Sequence, residues 1–263
     1  MEVAQRLGFV VEESVLVQET NNTVVWLRPH AIIAKVGTHP GSGERLLREH
    51  EVASELAAHG APVAPPLHGA AAQRDPETGF IVTLWCRLEH DGAPASGAIV
   101  GESLSRVHEA RCLSNATLPS FRVGLERARH ALSDDLQVQA LVHADRTFLR
   151  AAFDDLLAEL DDRALEERPL HGEPHDGNYL VTPVGLRWID FESACRGPLE
   201  WDLAFLPEDA RAVFGAVDRD LSELLEALNS ARVATWCWVQ ARFPEMRRHG
   251  EHHLEVVRRI LPR

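Results

Sequence analysis

His171-Gly172-Glu173-Pro174-His175-Asp176-Gly177-Asn178 leads directly into Tyr179-Leu180-Val181-Thr182-Pro183-Val184-Gly185-Leu186-Arg187-Trp188-Ile189-Asp190-Phe191-Glu192. Pro174 has no amide hydrogen and cannot continue a helix, so the opening residues form a polar loop. The residues after it predict a short hairpin turning at Pro183–Gly185. Asn178 and Asp190 then stand at the two ends of that hairpin and can converge on one point. An amide oxygen and a carboxylate meeting there suit Mg²⁺, a hard cation that takes oxygen ligands and shares them with phosphate. Glu173 precedes Asn178 in the same loop, placed to meet a substrate hydroxyl.

Upstream of this segment the pattern is β. Runs at Val15–Val17, Thr23–Leu27 and Ala31–Val36 read as strands, the last two joined as a hairpin across Arg28-Pro29-His30. A helix is predicted from Glu44 to about His59, with apolar Leu46, Leu47, Val52 and Leu56 and a stop at Gly60. It carries Glu49, which can pair with Lys35 on the preceding strand. Phe80–Trp85 reads as a further strand, and beyond Gly92 helices are expected near 97–111, 143–165, 200–214, 217–240 and 251–260. The organisation expected is α+β and two-lobed. Residues 1–88 form a small β lobe with a hinge near 85–95, and residues 89–263 form a larger, mainly helical lobe. Trp236 and Trp238 fit either the core or an acceptor pocket, and His249, His252 and His253 read as an exposed helix start.

Composition narrows the function. Of the 263 residues, 45% are apolar and 25% charged, the balance of an ordinary globular protein. The 27 basic against 40 acidic residues leave a net charge of −13, which argues against a nucleic-acid partner. All but one of those basic residues are arginine, and the exception is Lys35. A Walker A loop is excluded, because its lysine must follow glycine and Lys35 follows Ala34. Glutamates among the first residues do not fit a signal peptide, no apolar run is long enough to span a membrane, and Cys86, Cys112, Cys195 and Cys237 have no paired spacing. A cytoplasmic location without a membrane partner is expected.

The central segment resembles the catalytic core of the aminoglycoside phosphotransferase and choline kinase-like family, relatives of protein kinases. The family pattern is His-Gly-Asp-x-His-x-Gly-Asn, a hairpin, Ile-Asp-Phe/Trp-Glu, and then Asp-Leu-Ala. Here the matches are His171, Gly172, His175, Gly177, Asn178 and Ile189-Asp190-Phe191-Glu192, followed by Asp202-Leu203-Ala204. Ala31-Ile32-Ile33-Ala34-Lys35-Val36 is similar to the kinase lysine strand. Leu47-Arg48-Glu49 resembles the family's glutamate helix. The order of these matches spans about residues 20–206. No Asp-Phe-Gly…Ala-Pro-Glu activation segment follows, so a protein substrate is disfavoured.

The resemblance implies a protein-kinase-like fold and an ATP- and Mg²⁺-dependent transfer of the γ-phosphate to a hydroxyl of a small molecule, with GTP as an alternative donor. It implies that Lys35 holds nucleotide phosphates and Glu49 fixes Lys35. Asn22 of the phosphate-covering turn, and Trp85 and Arg87 beside the hinge, would also contact the nucleotide. Asn178 and Asp190 would bind the metal, Glu173 would be the catalytic carboxylate, and His171 and Asp202 would support the catalytic loop. The acceptor class implied is an aminoglycoside, an amino sugar or a choline-like molecule, which in the first case would mean antibiotic resistance. The negative charge favours a cationic acceptor. The sequence departs from the family at residue 173, where Glu replaces Asp, and in the turn Glu19-Thr20-Asn21-Asn22-Thr23, which has no glycine. The first departure leaves a second reading open, a catalytically silent nucleotide-binding protein.

Overall fold

The computed structural model describes residues 2–19, 22–38, 41–111, 116–134 and 136–261. Helix α1 (Glu2–Arg6) precedes strands β1 (Glu13–Glu19), β2 (Thr23–Arg28) and β3 (Ile32–Val36), then helix α2 (Ser42–Ala58), strands β4 (Gln73–Arg74) and β5 (Ile81–Cys86), and helix α3 (Gly97–Arg111). Next come α4 (Arg122–Ser133), α5 (His143–Asp161), β6 (Arg168–Leu170) and the hairpin β7 (Tyr179–Thr182) and β8 (Gly185–Trp188). The chain ends with β9 (Cys195–Gly197), α6 (Leu199–Leu203), α7 (Glu208–Arg211), α8 (Arg219–Val239) and α9 (Pro244–Ile260). Thr20 and Asn21 of the expected phosphate-covering turn, and Cys112, lie outside the described residues. Among the described residues no helix is long and apolar enough to cross a membrane.

The chain divides into two compact units. The first comprises Met1–Leu118, Pro169–Ala194 and Leu206–Phe214, and the second Pro119–Arg168, Cys195–Phe205 and Gly215–Arg263.

In the first unit the five N-terminal strands form one antiparallel sheet in the order β1-β2-β3-β5-β4. Successive side chains of a strand point to opposite faces. Ile32 and Ala34 of β3 therefore share a face, where they pack with Leu27, Val82, Leu84 and Val3 and Ala4 of α1. Lys35 is turned to the other face, in register with Thr83, as Ile33 is with Trp85. Helix α2 buries Leu46, Glu49, Val52, Ala53 and Leu56, one stripe at helical spacing. The Pro-rich connector after α2 runs along β8, where the Trp188 amide donates to Pro62 O (2.8 Å) and the Ala64 amide to Trp188 O (2.9 Å). Trp188 is fully buried, and its indole N–H donates to Ser103 Oγ on α3 at 3.1 Å. These bonds anchor the β7–β8 hairpin from both sides.

The second unit is helical. Leu125, Ala128, Ala131 and Leu132 form the buried stripe of α4, a helix that sequence reading did not place. Gly250 lets α9 approach α8 closely, since a Cβ there would meet the Trp238 indole nitrogen at 3.0 Å. Trp238 is core, whereas Trp236 borders a groove of about 540 Å³ together with Arg127 and His130 of α4.

Two helix expectations are corrected. The stretch expected as one helix over 200–214 is broken into α6, α7 and a 3₁₀ turn (Ala212–Phe214). Pro207 caps α7 at the break and cannot supply the amide a continuous helix needs. The last helix starts at Pro244, not near residue 251, because proline fits the first turn of a helix. His249, His252 and His253 consequently lie within α9, not at its start.

Candidate active site

Lys35 is the centre of the site. Its ammonium lies 2.9 Å from Glu49 Oε2 of α2, 3.2 Å from Asp190 Oδ1 and 2.6 Å from Glu192 Oε1. The pairing follows from the strand alternation that turns Lys35 away from the α1 core and from the stripe of α2 that buries Glu49. The contact with Glu49 matches the ion pair expected from sequence. Neither sequence spacing nor composition singled out Glu192, although it stands two residues after Asp190.

Asn178 and Asp190 are brought together by the hairpin they bracket, since the Ile189 amide donates to Asn178 O at 2.9 Å. The Asn178 side-chain amide donates to Glu173 O at 2.9 Å, which leaves Oδ1 as its acceptor. Asp190 is 42% exposed at its side chain and has a left-handed backbone (φ 64°, ψ 61°). Aspartate tolerates that region, at a cost on the order of 1 kcal/mol. An amide oxygen and an accessible carboxylate at opposite ends of one hairpin form a hard oxygen donor set, which fits a Mg²⁺ ion shared with phosphate oxygens. Glu49, Asp190 and Glu192 also offer three carboxylate oxygens within 4.8 Å of one another.

The Glu173 carboxylate accepts from Ser193 Oγ at 2.9 Å, so the loop's acid is tied to the turn after Asp190. His175 closes its own loop by accepting from the Gly177 amide at 3.0 Å. His171 is fully buried, its ring 4.4 Å from Phe191 and 5.2 Å from Trp188. The loop thus rests on an aromatic floor.

Asn22 is buried, and its side-chain amide donates to Glu192 Oε1. The two other residues expected at the nucleotide, Trp85 and Arg87, lie near the end of β5 and just beyond it. Trp85 packs edge-on against His50 of α2, its indole N–H given to Thr83 Oγ1 at 2.9 Å. The Arg87 guanidinium lies 4.1 Å over the Trp26 ring. Asp202 is fully buried on α6, in the second unit. Sequence reading placed Glu192 and Arg48 within matched motifs without giving either a role, and it missed Ser193 and Arg45. The spacing of Arg45, Arg48 and Glu49 on one face of a helix was the available signal.

Electrostatically the site has more negative charge than Lys35 balances. Burial alone would lower the Lys35 pKa, but Glu49, Asp190 and Glu192 push it up. Burial pushes the Glu49 carboxyl up to about 8, with Lys35 drawing it back down and the other two carboxylates adding to the rise. A carboxyl raised in the folded state binds its proton more tightly there than in the unfolded chain. Its contribution to stability is complete below the ordinary value of 4.5 and is lost as pH rises through about 8. Urea unfolding of the metal-free protein at pH 5.5 and pH 8.5 should therefore show a loss of stability toward the higher pH. Glu49→Gln should remove that part of the loss, and equal slopes for both proteins would count against the assignment.

Residues 15–247 match the sequence profile of the phosphotransferase enzyme family. No curated protein sequence matches. Among solved structures, the amicoumacin kinase hAmiN in complex with AMP-PNP, Ca²⁺ and Ami aligns with a TM-score of 0.74 at 14% identity, covering 97% of this chain and 92% of that one. The GDP and kanamycin complex of APH(2'')-IIIa gives 0.72 at 14% identity, covering 97% and 96%. A choline/ethanolamine kinase family protein from Mesorhizobium loti gives 0.65 at 18% identity, covering 95% and 88%. At these identities the likeness establishes the fold. It is kinase-like and α+β, with an N-terminal antiparallel sheet and a larger helical C-terminal region.

Proposed function

Because the chain belongs to the phosphotransferase enzyme family, we propose that it transfers the γ-phosphoryl group of ATP, with GTP as an alternative donor, to a hydroxyl of a small molecule in a Mg²⁺-dependent reaction. The observation that carries this reading is the meeting of Lys35, Glu49 and Asp190 beside a hairpin whose other end offers Asn178 Oδ1. Phosphoryl transfer asks mainly for positioning and for neutralisation of phosphate charge, and these groups supply both.

In this reading residues 1–88 carry the nucleotide, and residues 89–263 carry the catalytic and acceptor groups. Lys35, fixed by Glu49, binds the nucleotide phosphates, with Asn22, Trp85 and Arg87 as further nucleotide contacts. Asn178 and Asp190 hold Mg²⁺, which when bound neutralises phosphate charge. Glu173 orients the acceptor hydroxyl and takes its proton, while His171 and Asp202 support the loop. The net charge of −13 supports a cationic acceptor. Aminoglycosides, amino sugars and choline-like alcohols are the classes proposed, in keeping with the kanamycin complex and the choline/ethanolamine kinase among the structural relatives. The lack of a membrane-crossing helix among the described residues is compatible with a cytoplasmic enzyme.

The test is ADP release with Mg²⁺ and ATP across a panel of those acceptors, for wild type and Lys35→Arg. At least one acceptor should raise turnover above the rate with water. Lys35→Arg should raise the KM for ATP about 10- to 100-fold, because a planar guanidinium cannot occupy the ammonium's place among three carboxylates without shifting by about an ångström. ATP binding without stimulation by any acceptor would favour the silent nucleotide-binding protein.

A further inference from the structure

Glu192 holds two cations at once, and it holds them unequally. Its Oε1 is 2.6 Å from the Lys35 ammonium and also accepts from the Asn22 side chain, while its Oε2 is 3.5 Å from Arg45 Nε. Its backbone oxygen accepts from Arg48 Nη1 at 3.2 Å. Arg45 and Arg48 stand three residues apart on α2, on the same helix face as Glu49. One helix therefore grips both the backbone and the side chain of the turn that follows Asp190.

Nucleotide phosphates arriving at Lys35 compete with Glu192 for the same ammonium. A carboxylate this buried needs another cation when it lets go, since an unpaired buried charge is costly. Arg45 is already beside the second carboxylate oxygen. We propose that Arg45 and Arg48 are positioning residues that form a clamp on Glu192. Arg48 fixes the backbone of the turn, and Arg45 takes over the Glu192 carboxylate so that Lys35 is released to the nucleotide. The clamp rests on the nucleotide-binding role proposed above for Lys35.

The experiment is calorimetric titration of the full chain with AMP-PNP and Mg²⁺, using wild type, Arg45→Gln, Arg45→Lys, Glu192→Gln and the Arg45→Gln/Glu192→Gln double variant, each checked for folding by circular dichroism. Arg45→Gln should weaken AMP-PNP about 10-fold, because Lys35 then stays with Glu192. Arg45→Lys, which keeps the charge, should stay within about 3-fold of wild type. In the Glu192→Gln background the Arg45→Gln change should cost less than about 2-fold, since no carboxylate remains to compete. Unchanged affinity in Arg45→Gln, or an equal loss in both backgrounds, would overturn the clamp while leaving the phosphotransferase reading intact. A wild-type chain that does not bind AMP-PNP would overturn both.

Discussion

Asp190→Asn is expected to lower turnover of ATP by about 10³-fold or more, with the protein still folded and no less stable to heat. Asparagine keeps the size of the side chain and tolerates the left-handed backbone at this position (φ 64°), so the turn survives. What disappears is one charge. Asp190 is the accessible member of the carboxylates around Lys35, and Asn178 at the other hairpin end is neutral. Without Asp190 the pair keeps no anionic oxygen for the metal. The folded protein should gain slightly, because one of three carboxylates facing a single ammonium has gone. The checks are ADP release with saturating acceptor, the Mg²⁺ concentration needed for AMP-PNP binding, and the melting temperature. Turnover and Mg²⁺ dependence equal to wild type would remove Asp190 from the metal site.

Glu173→Gln is the second large effect, a fall in kcat of about 10²- to 10⁴-fold with the KM for ATP little changed. A general base acts on the acceptor's proton and not on the nucleotide, so the two parameters should separate. Glu173→Asp is the more informative variant, because the family has aspartate here and simple restoration of the family residue would suggest a gain. The structure points the other way. Ser193 Oγ donates to Glu173 Oε2 at 2.9 Å, and a side chain shorter by one methylene would lose that contact. The carboxylate would move by about an ångström, and kcat should fall about 10- to 100-fold. A Glu173→Asp enzyme as fast as wild type would show that the Ser193 contact does not set the position of the base.

The fold was legible because its signals are local. Pro174 and the Pro183–Gly185 turn read as a loop and a hairpin, and β7 and β8 lie on either side of that turn. The apolar run at Ala31–Val36 and the apolar stripe from Leu46 to Leu56 were equally direct. Helix α4 was missed because two of its four buried positions are alanines and the helix has no side-chain cap. The single expected helix over 200–214 failed at Pro207, a breaker visible in the sequence but outweighed by the helix-favouring residues around it.

The site divides along the same line. Sequence alone determined that this chain has one lysine, that it lies on a strand before a helix carrying a glutamate, and that Asn178 and Asp190 bracket one hairpin. Spacing carries such facts because a strand alternates and a hairpin returns on itself. The tertiary structure alone decided that Lys35 meets three carboxylates, that Asn22 and Lys35 share Glu192, that Arg45 and Arg48 hold it from α2, and that Ser193 reaches back to Glu173. Those partners come from segments far apart along the chain, in several cases by more than a hundred residues. No local periodicity encodes them. They follow from which face of β3 is left for α2 once α1 has covered the other, and from the turn at Asp190 packing against that helix.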